Sequence, residues 1–313
     1  MAVLDSFRQA DVSRRRRLRR AVLLRLLVWP LILAVAFFIG LRRFEFAATW
    51  HPEPYAAGPQ WRLPPSGEDV WFSTPDGVTL HGWFVHAIAK APPVATILYA
   101  HGNGGNLSNV GWLAERLAAR GCDVLLFDYR GYGRSAGTAT DEQTLYTDTE
   151  AAYDYLLRER GVVPTRLVLY GQSLGTTAVV DVAARRPSAA LIIESGLLSA
   201  SAMATEVLPW LPRWLHRLGR NRFDSAAKLS HITCPVLITH GEPDHVIPTA
   251  QGRALYAAAH EPKRLLIVPG ADHNVSGICG GRYLDTIADF VRTALTNPQQ
   301  VNGAEVTTAH CDR

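Results

Sequence analysis

The segment Gly171–Gly175 constrains the fold of this chain more than any other stretch. It reads Gly-Gln-Ser-Leu-Gly and fits the pattern Gly-x-Ser-x-Gly. The apolar run before it, Leu167–Tyr170, predicts a buried parallel strand. The run after it, Thr176–Arg186, is rich in Ala and Val and ends before a proline, as a helix does. A strand, a sharp turn and a helix in this order lift the hydroxyl of Ser173 above the end of a sheet, where it can act as a nucleophile. The alternative is a chance glycine-rich turn between a strand and a helix.

The amino-terminal region differs in composition from the rest of the chain. The whole chain has 313 residues and a formal net charge of +4, but residues 1–43 contain ten arginines against Asp5 and Asp11, so the remainder is net negative. A basic tail, residues 1–20, precedes an apolar stretch, residues 21–41. At about 1.5 Å per residue, that stretch spans roughly the 30 Å of a bilayer core. The sequence therefore predicts a transmembrane signal anchor, with a cleavable signal peptide as the alternative. The basic charge is confined to this region, so no nucleic-acid partner is predicted.

The arginines around the apolar stretch predict its orientation. Seven of them precede Arg25, and only Arg42 and Arg43 follow the stretch. The positive-inside rule then keeps the amino terminus in the cytoplasm and places the remaining domain on the non-cytoplasmic side. The cysteines do not decide the compartment, because they are scattered and a disulfide between two of them is an option only after export. They are Cys122, Cys234, Cys279 and Cys311.

Beyond the apolar stretch the chain predicts one large domain. Residues 42–66 are rich in proline and predict an extended linker. Residues 67–296 begin with a hairpin and then alternate strands and helices, which is typical of a mostly parallel, doubly wound α/β sheet. Residues 297–313 are polar and predict a flexible tail. Parallel strands are predicted at Val94–Tyr99, Asp123–Phe127, Arg166–Tyr170, Ala190–Glu194, Val236–Thr239 and Arg264–Val268.

One insertion interrupts this alternation. Residues 196–232, approximately, predict a small cap over the serine turn. The insertion carries Trp210 and Trp214. These side chains either line an acyl pocket or only pack the insertion against the domain, and the sequence favours neither.

Two loops that follow predicted strands carry partners for Ser173. A serine hydroxyl is hardly ionised at neutral pH and needs a base, which in turn needs an acid to orient it. His273 follows the last predicted strand and is the predicted base. Asp244 follows the preceding strand and is the predicted acid. The order Ser, Asp, His along the chain, with each residue after its own strand, favours this assignment over ordinary polar loop residues. The alternative acids are Glu194 and Asp272.

A third loop predicts donors for an oxyanion. His101–Asn106 reads His-Gly-Asn-Gly-Gly-Asn and follows the first parallel strand. Its glycines let backbone N–H groups turn into the site, so the predicted donors are the N–H groups of Asn103 and of Leu174. A phosphate-binding loop is disfavoured because Gly-Lys-Ser/Thr is missing. The spacing of His, Cys and carboxylate residues predicts no metal site and no cofactor.

Four motifs together resemble those of a known family: His101–Asn106, Asp128–Ser135, Gly171–Gly175 and His240–Pro248. They are similar, in sequence and in order, to motifs of the α/β-hydrolase-domain family of the bud-emergence-suppressor type, which overlaps the serine-aminopeptidase-like hydrolases. The resemblance covers about residues 67–296. It implies an α/β-hydrolase fold, a membrane-associated serine hydrolase, a triad of Ser173, Asp244 and His273, and an oxyanion hole at Asn103 and Leu174. Some members of the family are protein depalmitoylases or lysophospholipid lipases.

Two positions depart from the family pattern. Thr176 stands where a second glycine is common, and Glu194–Leu197 lacks the Pro-Phe often found there. Arg130 is interpreted as structural. The predicted function is a membrane-anchored serine hydrolase that cleaves small-molecule or lipid-like acyl esters or thioesters through an acyl-enzyme. The alternatives are an aminopeptidase-like serine peptidase and a non-catalytic, membrane-tethered binding module.

Overall fold

The computed structural model describes residues 2–88, 92–212 and 214–306, in two compact units that divide near residue 48. The first unit consists of helix α1, Ala2–Thr49, apart from its last residue. Within it, Leu24–Thr49 contains an 18-residue stretch with a mean hydropathy of 2.3 and is long and apolar enough to cross a membrane. The helix continues beyond the predicted end of the apolar stretch at Leu41. This corrects the prediction that residues 42–66 are an extended linker, and the reason is that residues 42–48 include Arg, Glu and Ala, which favour helix.

The second unit is organised around one large sheet. Nine strands of the described chain form it in the order β11-β10-β9-β8-β7-β4-β6-β3-β2, and β1 and β5 form a separate parallel pair. All neighbours in the large sheet are parallel except β2 with β3 and β3 with β6. The strands are β1 His51–Pro52, β2 Gly67–Ser73, β3 Thr79–Val85, β4 Ala95–Ala100, β5 Gly104–Gly105, β6 Cys122–Phe127, β7 Leu167–Gln172, β8 Ala190–Glu194, β9 Val236–Gly241, β10 Lys263–Val268 and β11 Gly303–Val306.

Helices cover both faces of this sheet because the strands are apolar on both sides. Along β7, Leu167 and Leu169 enter one hydrophobic cluster with α3, α4, α6 and α7, whereas Val168 and Tyr170 enter the other with α2 and α8. This doubly wound architecture confirms the predicted α/β-hydrolase fold. The helices are α2 Gly111–Ala118, α3 Glu142–Arg158, α4 Leu174–Arg185, α5 Ala200–Val207, α6 Ser225–Leu229, α7 Thr249–Ala258 and α8 Val275–Thr296.

The end of the chain corrects the predicted flexible tail. Residues 303–306 form β11, which pairs in parallel with β10 from Arg264 to Ile267. Val301 is buried just before it, and the side chain of Asn302 accepts a hydrogen bond from the N–H of Lys263 (3.0 Å). Backbone pairing with an open sheet edge therefore orders this polar segment. Residues 307–313 lie outside the described residues.

The insertion between β8 and β9 contains α5 and α6 and is joined to the domain by polar contacts. The side chain of Asn221 accepts a hydrogen bond from the N–H of Glu142 (2.7 Å), and Glu142 in turn accepts one from the N–H of Phe223 (2.5 Å). Trp210 and Trp214 are 75% and 66% exposed, so neither packs the insertion against the domain.

Candidate active site

Ser173 occupies the sharp turn between β7 and α4. Its backbone has φ 53° and ψ −120°, a conformation that costs a non-glycine residue about 1–3 kcal/mol. The turn is held by the Ser173 N–H, which donates to the carbonyl of Glu194 (2.9 Å), and by the Thr176 hydroxyl, which donates to the carbonyl of Ser173 (2.6 Å). Thr176, which departs from the family pattern, therefore stabilises the turn.

Close backbone approach explains the two glycines of the pattern. A Cβ atom on Gly175 would lie 2.1 Å from the carbonyl oxygen of Ala100, at the end of the neighbouring strand β4. A Cβ atom on Gly171 would lie 2.6 Å from the carbonyl oxygen of Gly175. Neither distance is tolerable, so any larger residue would displace the turn that carries Ser173.

The loops after β10 and β9 bring His273 and Asp244 to Ser173. The Nε2 atom of His273 lies 2.9 Å from Ser173 Oγ. On its other side, His273 Nδ1 lies 2.9 Å from Asp244 Oδ2 and 3.2 Å from Oδ1. Three residues separated by up to 100 positions in sequence thus form one hydrogen-bonded chain at the carboxyl edge of the sheet.

The carboxylate of Asp244 is held by more donors than His273 alone. Its Oδ1 accepts from the N–H groups of Val246 (2.9 Å) and Ile247 (2.8 Å). Burial favours the protonated form, but hydrogen bonds from His240, His273 and Ile247 outweigh it and hold the pKa of Asp244 well below its ordinary range. Asp244 is therefore ionised at neutral pH, as a partner for an imidazolium must be.

Sequence reasoning missed the part played by His240. This residue is fully buried in β9, and its Nε2 lies 2.8 Å from the carbonyl of Ile247 and 3.2 Å from Asp244 Oδ2. It thereby holds both the loop and the carboxylate oxygen that His273 also contacts. The signal was its position at the start of the motif that contains Asp244.

The two alternative acids have other partners. Asp272 accepts from the N–H groups of His245 (3.0 Å) and His273 (2.7 Å), and its other oxygen contacts the exposed ring of His245 (3.1 Å). Glu194 is fully buried beneath the site, where its Oε1 accepts from the N–H of Ser276 (2.9 Å). In the described structure neither carboxylate is hydrogen-bonded to the imidazole of His273.

Glu194 belongs to a buried polar cluster. Its Oε2 is hydrogen-bonded to the hydroxyls of Tyr170 and Tyr283, and Tyr283 also contacts the hydroxyl of Thr239 (2.7 Å). Burial raises the pKa of Glu194 above its ordinary value, although these hydrogen bonds oppose the shift.

The loop after β4 places Asn103 and its neighbours beside Ser173. The backbone N–H groups of Asn103 and Leu174 donate to no acceptor among the described residues. The Asn103 side chain is occupied: Oδ1 accepts from the N–H of His51 (3.1 Å) and the hydroxyl of Tyr132 (3.1 Å), and Nδ2 lies 2.8 Å from His51 Nδ1. Sequence reasoning missed both His51 and Tyr132.

The motif Asp128–Ser135 supports this loop and the hairpin. Asp128 is buried and accepts from the N–H of Leu107 (2.8 Å), just after the loop. Arg130 donates to Asp148 in α3 (2.8 Å) and to Asp76 in the turn of the hairpin (2.8 Å). These contacts fit the structural interpretation of Arg130.

A cavity of about 350 Å³ opens at Ser173 and His273. Carboxamides and aromatic rings dominate its lining. Among its lining residues there is no Asp, Glu, Lys or Arg, and none comes from the described part of the insertion. The expectation that Trp210 and Trp214 line an acyl pocket is therefore wrong for this cavity. The lining residues are Tyr99, His101, Gly102, Asn103, Gly104, Asn106, Asn109, Val110, Trp112, Gln172, Ser173, Val246, His273, Asn274 and Ser276.

A larger cavity of about 780 Å³ lies elsewhere, between β2 and α3. It contains none of the predicted site residues, and three of its four carboxylates, Asp76, Glu150 and Asp154, are paired with arginines. The smaller cavity is therefore the candidate active site. Among residues 2–88, 92–212 and 214–306, no group of three His, Cys, Asp or Glu side chains could hold a metal ion.

Comparisons with known proteins define the class of this chain. The family model described as serine aminopeptidase, S33, matches residues 91–226. YfhR of Salmonella typhimurium, an uncharacterised protein, is 35% identical over 282 residues, which cover 85% of this chain and 94% of YfhR. Human alpha/beta hydrolase domain-containing protein 17B is 38% identical over 203 residues, 64% of this chain and 68% of that protein. Among solved structures, the Pyrococcus furiosus esterase Pf2001 has a TM-score of 0.62 at 17% identity and covers 78% of this chain and 99% of its own.

The fold and these relatives place the protein among the α/β-hydrolases. Within that class, the chain belongs to the family that includes YfhR and alpha/beta hydrolase domain-containing protein 17B. Its residues 91–226 match the serine aminopeptidase S33 model. This confirms the resemblance inferred from the motifs. The likeness to Pf2001 concerns the fold.

Proposed function

We propose that the protein is a serine hydrolase that cleaves acyl esters or thioesters. Ser173 Oγ attacks the acyl carbon and transfers its proton to His273 Nε2, 2.9 Å away. His273 then delivers this proton to the leaving alcohol or thiol as its bond to the acyl carbon breaks. Water attacks the resulting acyl-enzyme by the same route in reverse and regenerates Ser173. The observation that carries the proposal is the continuous contact from Ser173 through His273 to ionised Asp244.

Two backbone N–H groups are assigned to the developing oxyanion. Leu174 begins α4, so its N–H lies at the positive end of a helix dipole. The N–H of Asn103 comes from the loop that follows β4. Both groups lack an acceptor among the described residues, which suits donors that act only during the reaction.

The cavity favours an ester or thioester over the amino terminus of a peptide. An aminopeptidase must bind an ammonium group away from bulk water, which requires a carboxylate partner. The described lining offers neutral carboxamides and aromatic rings, and no carboxylate. We therefore infer an uncharged acyl ester or thioester, of small-molecule or lipid-like type, as substrate, and keep peptidase activity as the second candidate.

Replacement of the nucleophile tests this proposal. Ser173→Ala is expected to lower kcat on a p-nitrophenyl ester by about 10³-fold or more and to abolish labelling by a fluorophosphonate probe. Ser188→Ala is the matched control. Ser188 lies just before β8, at the end of the strand away from the site, so this variant should keep full activity. A purified wild-type protein that neither turns over esters and acyl thioesters nor reacts with the probe would instead favour the non-catalytic binding module.

We also propose that α1 anchors the hydrolase domain on the non-cytoplasmic side of a membrane. The helical segment Leu24–Thr49 is long enough to cross a bilayer core. Seven arginines precede Arg25, against Arg42 and Arg43 after the apolar stretch 21–41, and this imbalance favours an inward amino terminus.

Protease accessibility tests this topology. Protease added to intact spheroplasts is expected to degrade the hydrolase domain. Protection until the membrane is permeabilised would place the domain in the cytoplasm. A soluble mature protein that starts near Phe37 would show that the segment is a cleaved signal peptide.

A further inference from the structure

The segment that directly follows α1 is built into the loop that carries Asn103. We call residues 50–55 the post-helix segment. Its strand β1, His51–Pro52, pairs in parallel with Gly104–Gly105, the residues immediately after Asn103. The pairing continues as the N–H of Glu53 donates to the carbonyl of Gly105 (3.4 Å). The backbone of the proposed oxyanion loop is therefore held in place by pairing with the post-helix segment.

The side chain of Asn103 is held by His51 and by Tyr132. His51 contributes two contacts: its N–H donates to Asn103 Oδ1 (3.1 Å), and its Nδ1 accepts from Asn103 Nδ2 (2.8 Å). The hydroxyl of Tyr132 donates to the same Oδ1 (3.1 Å). Both polar atoms of the carboxamide are thus hydrogen-bonded to His51 or Tyr132 and not to Ser173. A fixed side chain restricts the rotation of the adjacent backbone, and with it the direction of the Asn103 N–H.

The post-helix segment is itself fixed on two further sides. Trp50 is 4% exposed, and its ring meets that of Phe223 in the insertion edge to face, with 6.3 Å between ring centroids. The N–H of Gly133 donates to the carbonyl of Glu53 (2.9 Å), and the N–H of Tyr55 donates to the carbonyl of Gly133 (2.8 Å). Because these contacts are independent of Asn103, His51 is presented from a rigid support.

We infer that His51 is a positioning residue of the hydrolase and that it sets the Asn103 N–H in the direction that an oxyanion requires. The inference rests on the proposed function. Loss of one oxyanion donor typically costs an enzyme about 10²–10³-fold in kcat, and a displacement of about 1 Å can cost 10²-fold. Residues between the predicted membrane helix and the hydrolase domain would then support catalysis as well as connect two units.

The experiment uses the full-length protein in detergent with a p-nitrophenyl ester. His51→Ala removes the acceptor for Asn103 Nδ2 but keeps the backbone contact, so the donor is only partly misplaced. We expect kcat to fall about ten-fold, which is less than the roughly 10²-fold cost of a 1 Å displacement or the loss of a donor. KM should change less than about two-fold, because the oxyanion contact forms in the transition state. His51→Asn offers a carboxamide oxygen close to the position of Nδ1 and should restore at least half of the wild-type kcat.

His86→Ala is the matched control. His86 is another exposed histidine, paired with Glu68 (3.2 Å) beyond the hairpin, and its loss should leave kcat unchanged. The inference is overturned if His51→Ala keeps kcat within two-fold of wild type. It is also overturned if His51→Asn is as impaired as His51→Ala. The same holds if a lower Tm of the variants accounts for their whole loss of activity. Failure of the proposed function looks different, because wild type itself would then show no turnover and no probe labelling.

Discussion

The two sides of the candidate active site are positioned by different parts of the molecule. On the acid–base side, Ser173, Asp244 and His273 follow β7, β9 and β10, so the sheet itself brings them together. On the oxyanion side, Asn103 follows β4, but its side chain is held by His51, 52 positions earlier in the chain. The first side is fixed by the fold that all members of the class share. The second also depends on a segment outside the large sheet.

This difference explains what could be predicted from the sequence. The carboxyl ends of parallel strands meet at one edge, so residues that follow predicted strands can be placed together without coordinates. The serine turn adds a pattern whose glycines are required, because a Cβ atom on Gly175 or Gly171 would lie only 2.1 or 2.6 Å from a backbone carbonyl oxygen. Ser173, Asp244 and His273 were predicted on these grounds, and the structure brings them into contact, whereas their catalytic roles stay predictions.

The contacts that were missed have no comparable signal. A two-residue strand such as His51–Pro52 is too short to show alternation, and its proline is typical of a linker. The strand Gly303–Val306 was missed for a related reason. It is a short edge strand, and an available neighbour decides its conformation more than its own residues do. Sequence patterns therefore predicted the central elements and failed where pairing depends on a distant partner.

The largest effect expected among the remaining tests concerns the acid–base side. Asp244→Asn removes the negative charge that orients His273 and stabilises its imidazolium form, so kcat should fall about 10³-fold. Asp272→Asn should change kcat less than about three-fold, since Asp272 contacts the backbone N–H groups of His245 and His273 and the ring of His245, but not the imidazole of His273. Esterase kinetics on both purified variants, with probe labelling as a second readout, make the comparison.

The two aspartates control for each other, because they lie on adjacent loops and undergo the same chemical change. If Asp272→Asn were the inactive variant and Asp244→Asn retained wild-type turnover, the acid would have to be reassigned. Equal, severe losses of kcat in both variants would indicate that either substitution disturbs both loops. The positions of Asp244 and His273 would then depend on contacts between the loops as well as on the sheet.

The smallest effect on activity is expected at Glu194, a buried residue that hydrogen-bonds to the turn carrying Ser173 and to the start of α8 after His273. Its carbonyl accepts from the N–H of Ser173 (2.9 Å), and its carboxyl oxygen Oε1 accepts from the N–H of Ser276 (2.9 Å), three residues after His273. Glu194→Gln keeps this acceptor and offers an amide N–H₂ to the hydroxyls of Tyr170 and Tyr283. We therefore expect kcat to stay within about three-fold of wild type.

The informative change at Glu194 is in the pH dependence of stability. Burial raises the pKa of the folded-state carboxyl above its unfolded value of about 4.3, so the native state binds more protons than the unfolded state above that pH. The stabilising contribution of the protonated carboxyl is complete below pH ~4.3 and is lost as the pH rises through the folded-state pKa. Glutamine carries no such proton. The free energy of unfolding of Glu194→Gln should therefore improve relative to wild type as the pH rises from 5 to 8, by at most about 1.4 kcal/mol per pH unit. Urea unfolding of both proteins across this range measures the difference. A constant difference would mean that Glu194 is already ionised in the fold, and the buried cluster would then hold a charge directly beneath Ser173.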